Sequence, residues 1–282
     1  MKGVILAGGH GTRLYPITIS TSKQLLPIYD KPLIFYPLTT LIEAGIKEIA
    51  IIIKTKDKKC FIDLLGDGSR FGIKIEYFFQ DDPRGLAEAF IITEQFIEDS
   101  DVTLILGDNL FYGESFTKLL KEDFKKGGRI FCSKVLGPER YGVLEIKNNK
   151  PISIVEKPAK FISPWAVTGI YTYDSSVIKR AKMLTPSKRN ELEITDINKE
   201  YLIDGELDSR FFDQNVVWMD TGTFESMKDA SEFIAAIQKR KGILVGSPEL
   251  AAFKNKWLTK LDIKKNINYS SQYTETLLRL ID

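Results

Sequence analysis

Over the first half of the chain, short apolar runs alternate with stretches whose apolar residues recur at helical spacing. The runs are "GVILAG", "EIAIIIK", "IKIEYFFQ", "VTLILGD" and "GRIFCSKVL". Between them lie "PLIFYPLTTLIEAGI", "TKDKKCFIDLLGDGS", "GLAEAFIITEQFIED" and "SFTKLLKEDFKK". Runs such as Val4-Ile5-Leu6 carry no polar alternation, so both faces of the strand must be covered. This repetition predicts an α/β fold, a mostly parallel sheet with helices packed on it. Sheets of this kind bind ligands at the carboxyl ends of their strands.

The second half is mixed. "ISIVEKP", "WAVTGIYTYD", "ELDSRFFD" and "VVWMD" read as strands, and "SSVIKRAKML" and "ELEITDINKEYLIDG" as helices. From Phe224 onward the pattern is helical. The expected organisation is a core over residues 1–222 and a helical C-terminal appendage over 223–282, packed on it. With 43% hydrophobic and 28% charged residues and no apolar run near the roughly 18 residues of a membrane span, a cytoplasmic protein without membrane contact is expected. A net charge of +2 gives no reason to expect nucleic acid. Cys60 and Cys132 match no zinc or redox spacing. His10 is the chain's one histidine, which argues against a Ser-His-Asp triad or a histidine-rich metal site.

The first run ends in "GGHGTRL". Gly8, Gly9 and Gly11 let the backbone turn tightly and present bare N–H groups, and Arg13 adds a planar fork of donors. The loop is therefore suited to an anion. It lacks the third glycine of a dinucleotide fingerprint, Leu14 standing there, and the Gly-Lys-Ser/Thr of a P-loop. With Lys23 and Lys31 following in "SKQLLPIYDKP", a triphosphate is the anion expected. Asp108 follows "VTLIL" and Asp220 follows "VVWM". Two carboxylates at strand ends can hold Mg²⁺, with phosphate oxygens completing its shell. Glu156 and Lys157 are adjacent in "IVEKP", offering a sugar hydroxyl contact and a phosphate contact, or an exposed ion pair. Gln80 has the donor and acceptor to pair with a base edge.

"GVILAGGHGTRLYPIT" together with "SKQLLPIYDKPLIFYPL" resembles the sugar-1-phosphate nucleotidyltransferases, and specifically their thymidylyl-transferring branch. The resemblance continues in family order through "LLGDGSRFG", "DDPRGLAEAF", "LGDNLFYG", "PERYGVLE", "VEKP", "AVTGIYTYD", "ELEITDINKEYL" and "WMDTGTFESM". It implies a Rossmann-like, GT-A-like three-layer sandwich. It also implies a Mg²⁺-dependent reaction of dTTP with glucose 1-phosphate, giving dTDP-glucose and pyrophosphate, a step that feeds deoxysugar synthesis. Carried over motif by motif, Gly8, Gly11, Thr12 and Arg13 would hold the triphosphate, with Asp108 beside it. Lys23 would bind phosphate, and Gln24, Gln80, Pro83 and Gly85 would contact the nucleoside. Leu86, Asn109, Tyr141, Gly142, Glu156, Val167 and Trp218 would line the sugar pocket. Lys157 and Arg189 would grip the sugar phosphate, and Asp108 and Asp220 would hold Mg²⁺. The family also implies a homo-oligomer, a tetramer. The nucleophile would be a phosphate oxygen already deprotonated at neutral pH, so no general base is required.

Three positions depart from the family pattern. Asn190 follows Arg189 where a glycine is usual, Glu114 follows "FYG" where a histidine is usual, and Gln214 stands where an arginine is usual. The last two concern a second, regulatory nucleotide site, and an anionic diphosphate is expected to bind there weakly. Other readings are a nucleotidyltransferase for a different base or sugar 1-phosphate, and a non-catalytic nucleotide-sugar sensor.

Overall fold

The computed structural model describes residues 1–148 and 150–282. Its strands, in chain order, are β1 (Lys2–Leu6), β2 (Pro27–Ile28), β3 (Lys31–Pro32), β4 (Glu48–Ile53), β5 (Lys74–Phe79), β6 (Val102–Leu106) and β7 (Asn109–Tyr112). There follow β8 (Gly128–Lys134), β9 (Gly142–Lys147), β10 (Lys150–Glu156), β11 (Trp165–Tyr173), β12 (Leu207–Phe211) and β13 (Val217–Asp220). A large sheet runs in the order β10-β9-β11-β6-β1-β4-β5, with β8 joining at β11 and β12 at β8. Its centre is parallel: β1 pairs with β4 and with β6, and β4 with β5. Beyond β6 the sheet turns antiparallel through β11, β9 and β10.

The unbroken apolar runs have a direct cause. Along β1, Val4 packs into one core with Ala50, Ile52 and Leu104, while Ile5 packs into the opposite core with Ile51, Ile53 and Ile105. Successive side chains point to opposite faces, and here both faces are dry. Helices α1 (Phe35–Glu43) and α2 (Lys58–Leu65) bury Leu38, Leu41 and Phe61 against the Ile5 face. On the Val4 face lie α3 (Glu88–Ile92) and α4 (Glu94–Ile97), which contribute Ala89, Phe90 and Phe96. The stretch 85–99 expected as one helix is thus two short ones, divided at Thr93, whose φ and ψ of −100° and 15° leave the helical region.

The remaining helices are α5 (Glu114–Leu120), α6 (Ser176–Met183), α7 (Ile194–Ile203), α8 (Phe224–Lys241), α9 (Pro248–Lys254), α10 (Lys260–Asn266) and α11 (Gln272–Ile281). Helix α7 starts three residues later than the pattern predicts. Leu192 is used instead to tie two loops together, its N–H donating to Arg84 O at 2.7 Å and its carbonyl accepting from Ala87 N–H at 3.1 Å. Leu250, Ala251, Ile263, Leu277 and Ile281 from the last helices join the same core as Ile5 and Ile51. Thr223, Thr259 and Ser271 each close a capping box on the helix they begin, which fixes where α8, α10 and α11 start.

All four central strands end on one edge of the sheet. Residues just past them hold to their neighbours: Ala7 N–H donates to Ile52 O, Gly107 N–H to Leu6 O and Gln80 N–H to Ile53 O. Above this edge β7 and β13 form a separate antiparallel ribbon, with Asn109 opposite Asp220. No helix among the described residues is long and apolar enough to cross a membrane.

Candidate active site

The cleft is built on that edge. The glycine loop leaves β1 and turns at Gly11, whose φ of +62° lies in the left-handed region that favours glycine. Thr18 Oγ1 donates to the Gly11 carbonyl at 2.9 Å and closes the loop. A Cβ on Gly8 would come within 3.2 Å of Gln80 Oε1, so this glycine admits the end of Gln80 beneath the loop. Arg13 is exposed, in the short 3-10 turn Thr12–Leu14.

Lys23, 7% exposed, sends its ammonium to Asp108 Oδ2 at 2.7 Å. A chain of contacts continues from the other oxygen. Asn109 Nδ2 donates to Asp108 Oδ1 at 2.9 Å, and Trp218 Nε1 donates to Asn109 Oδ1 at 2.6 Å. The Trp218 ring leans on Tyr141 with centroids 4.9 Å apart. The ribbon places Asp220 beside this chain. Thr221 donates to the Asp108 carbonyl from both N–H (3.1 Å) and Oγ1 (2.8 Å). A Cβ on Gly222 would stand 3.1 Å from Asp220 Oδ1 and 3.2 Å from Arg13 Nη1, so carboxylate and guanidinium flank one glycine.

The two carboxyls are pushed in opposite directions. Burial raises the Asp108 carboxyl, but the Lys23 charge and hydrogen bond, with the Asn109 amide, outweigh it and hold it below the ordinary range. Burial, and then the negative charge of Asp108, raise the Asp220 carboxyl, against the opposing pull of Lys23, Arg13 and Arg140. A divalent cation fits this donor set. Its oxygens are all hard, and its mutual repulsion is what such an ion relieves. Among the described residues there is no group of three or more His, Cys, Asp or Glu side chains that could hold a metal.

Across the cleft, Glu156 ends β10. Its Oε2 accepts from Thr195 Oγ1 at 2.6 Å, and a Cβ on Gly142 would lie 3.1 Å from that hydroxyl. Lys157 follows in the left-handed region (φ +42°), its N–H held by Tyr141 O at 3.0 Å. Its half-exposed ammonium lies 3.8 Å from Glu156 Oε1. Val167 lies buried in β11, beside the irregularity in its pairing with β8. Arg189 is more committed than its motif implies. It forms a fork on Glu193 (3.1 and 2.7 Å) and reaches Glu156 and Glu191, each at 3.3 Å.

The structure also accounts for Asn190. Its φ of +59° is the left-handed conformation that the usual glycine would adopt, and asparagine is the next best residue there. Asn190→Gly is therefore expected to leave stability within a few tenths of a kcal/mol, whereas Asn190→Ala costs about 1 kcal/mol. Thermal unfolding of the two variants checks this. Gln24 is buried, its Oε1 accepting from Ser22 Oγ at 2.7 Å. Pro83 is exposed, and Gly85 and Leu86 are partly buried on the loop that Leu192 ties down. Thr195, Arg140 and Glu88 escape the sequence reading. "ELEITD" and "PERYG" contain the first two, but only the fold brings them to the cleft. Glu114 opens α5, and Gln214 lies in the turn before β13.

The glycine loop, the Lys23–Asp108 ion pair and Asp220 on the neighbouring ribbon thus meet at the carboxyl edge of the parallel strands. The chain belongs to the nucleotidyl transferase family, whose model matches residues 2–237. It is 49% identical to a glucose-1-phosphate thymidylyltransferase of Neisseria gonorrhoeae over 100% of this chain and 99% of that one. It is 46% identical to the enzyme of the same name from Mycolicibacterium smegmatis, with the same coverage. Among solved structures it is similar to a Bacillus anthracis protein put forward as a glucose-1-phosphate thymidylyltransferase. That match has 41% identity and a TM-score of 0.77, covering 83% of this chain and 94% of the other. It is also similar to a UDP-glucose pyrophosphorylase complexed with UDP-glucose, at 26% identity and TM-score 0.73, covering 85% and 99%.

Proposed function

We propose that the protein joins dTTP to glucose 1-phosphate, releasing pyrophosphate and forming dTDP-glucose. The observation that supports this reading is the convergence of Lys23, Asp108, Asp220 and Arg13 at one edge of the sheet. The names of the full-length relatives supply the base and the sugar.

The residues present fit the proposed chemistry. Asp108 and Asp220 would hold Mg²⁺, which neutralises charge on the phosphates between them. The glycine-loop N–H groups and Arg13 would orient the triphosphate and stabilise the departing pyrophosphate. Lys23, beside Asp108, would meet a phosphate oxygen. Lys157 would draw the sugar phosphate into line with the α-phosphorus, while Glu156, fixed by Thr195, accepts a sugar hydroxyl. The attacking oxygen forms the new P–O bond as the bond to pyrophosphate breaks. No proton need move, so a chain with one histidine can run the reaction.

Incubation with dTTP, glucose 1-phosphate and Mg²⁺ should give dTDP-glucose and pyrophosphate in equal amounts. Lys157→Ala should raise the KM for glucose 1-phosphate and lower kcat by roughly a hundredfold, the scale of losing one strong electrostatic contact, while the Kd for dTTP changes little. Loss of dTTP binding with glucose 1-phosphate binding intact would refute the assignment of Lys157 to the sugar phosphate.

A further inference from the structure

Gln80 is 4% exposed at the cleft floor, and its amide is not free to turn. Its Nε2 donates to Glu88 Oε2 at 2.6 Å. Glu88, in the first turn of α3, is 5% exposed and is itself held from two sides. Arg84 Nε donates to its Oε1 at 2.8 Å, Arg84 Nη2 lies 2.6 Å from the same oxygen, and the Arg84 backbone N–H donates to Oε2 at 3.2 Å. An ionised carboxylate only accepts hydrogen bonds, so it must face the NH₂ side of the Gln80 amide. The carbonyl oxygen Oε1 is thereby turned the other way, toward Gly8 and the loop that borders the cleft.

We propose that Glu88 is a positioning residue that fixes which way the Gln80 amide faces and so sets the choice of base. This rests on the reading that Gln80 meets the base edge. Thymine presents N3–H, a donor, between two carbonyl oxygens. Cytosine presents N3 as an acceptor beside an amino group. A freely turning glutamine can pair with either by rotating its amide through a half turn. Here the half turn would bring Oε1 against the Glu88 carboxylate, two acceptors in a dry site with no proton between them, which is costly. Held as it is, Gln80 offers an acceptor to N3–H and keeps one N–H for a neighbouring carbonyl. The wrong pyrimidine would leave buried polar groups unpaired, the strongest form of discrimination a small pocket has. Arg84, its side chain 71% exposed, helps hold the carboxylate from outside.

The test compares kcat/KM for dTTP and dCTP, with glucose 1-phosphate saturating. Glu88→Gln keeps the shape but lets either end of the Gln80 amide be satisfied. The dTTP/dCTP ratio should fall at least about tenfold, chiefly through better use of dCTP. Glu88→Asp keeps an acceptor-only group one methylene shorter, so KM for dTTP should rise while the ratio stays within about threefold of wild type. Gln80→Ala should abolish most of the discrimination. A folded Glu88→Gln enzyme with the wild-type ratio, alongside a collapsed ratio in Gln80→Ala, would overturn the role of Glu88 alone. An unchanged ratio in Gln80→Ala would overturn the base-reading role of Gln80, and the proposal with it. Equal loss in Glu88→Asp and Glu88→Gln would mean that packing, not hydrogen-bond sense, is at work, and would also overturn it. If Glu88→Gln does not fold, Glu88→Asp decides, with a ratio lost along with dTTP affinity as the contrary result.

Discussion

Asp108→Asn and Asp220→Asn are each expected to lower turnover at least about a hundredfold with Mg²⁺ present, the scale of removing one strong electrostatic stabiliser from a transition state. Their effects on stability should differ. The Asp108 carboxyl is held below its ordinary range, so its charged form is favoured by folding, and replacing it leaves the buried Lys23 ammonium without its partner. Asp108→Asn should therefore lower the Tm measured without metal. The Asp220 carboxyl is raised above its ordinary range, so its charged form is disfavoured by folding at neutral pH. Asp220→Asn should leave that Tm unchanged or raise it. Added Mg²⁺ and dTTP should raise the Tm of the wild type and do so far less in either variant. Near-normal turnover in either variant would remove the paired-aspartate site from the account.

A second large effect is expected at Gly85, which lies far from the phosphates in sequence. Its φ is +104°, and a Cβ there would stand 2.4 Å from Leu192 O and 2.5 Å from Leu192 N. Both are backbone atoms, so no rotamer can relieve the collision. Leu192 is also the residue that clasps Arg84 and Ala87, and it sits between Glu191 and Glu193, which hold Arg189. The loop carrying Gly85 and the loop carrying Arg189 are thus one mechanical unit. Gly85→Ala should cost about 3 kcal/mol, from the disallowed dihedral plus displaced backbone. Because a shift of about 1 Å at a reacting group costs on the order of a hundredfold, kcat/KM should fall by that much for both substrates. Gly45→Ala is the control. Its φ is +87° but nothing lies within 4 Å, so it should cost about 1 kcal/mol and leave kcat/KM unchanged.

These expectations draw on parts of the molecule that were unequally legible in its sequence. The central strands were legible because burial on both faces writes an unbroken apolar run, as in "IAIII" of β4. Asp108 and Asp220 were visible as carboxylates at the ends of such runs. That Asp220 lies on a ribbon against the strand that begins one residue after Asp108 was not visible, because β7 is only four residues long and pairs with a strand more than a hundred residues away. β9 was missed as a strand for a similar reason. "GVLEIK" gains its conformation from the hairpin with β10 rather than from a strong pattern of its own.

Glu88 illustrates a deeper limit. In sequence it is one more acid at a helix start, where acids are common and usually solvated. Its burial and its partner Gln80, eight residues earlier and on another element, exist only after folding. Asn190 shows the reverse. Against the family pattern it reads only as a departure, and its backbone dihedral shows a conformation that asparagine adopts next best to glycine. The cations were legible as residue types, but their commitments were not. Lys23 is paired to Asp108 and Arg189 to three carboxylates, while Lys157 keeps only a 3.8 Å contact.

The most direct test of thymidylyl transfer to a sugar phosphate at this cleft is pyrophosphate release across a matrix of nucleoside triphosphates and sugar 1-phosphates, with Mg²⁺ present and then chelated. The highest kcat/KM is expected for dTTP with glucose 1-phosphate, and release should be lost for every pair when the metal is removed. No release from any pair, or an equally high rate in the presence of a chelator, would contradict metal-assisted thymidylyl transfer at this cleft.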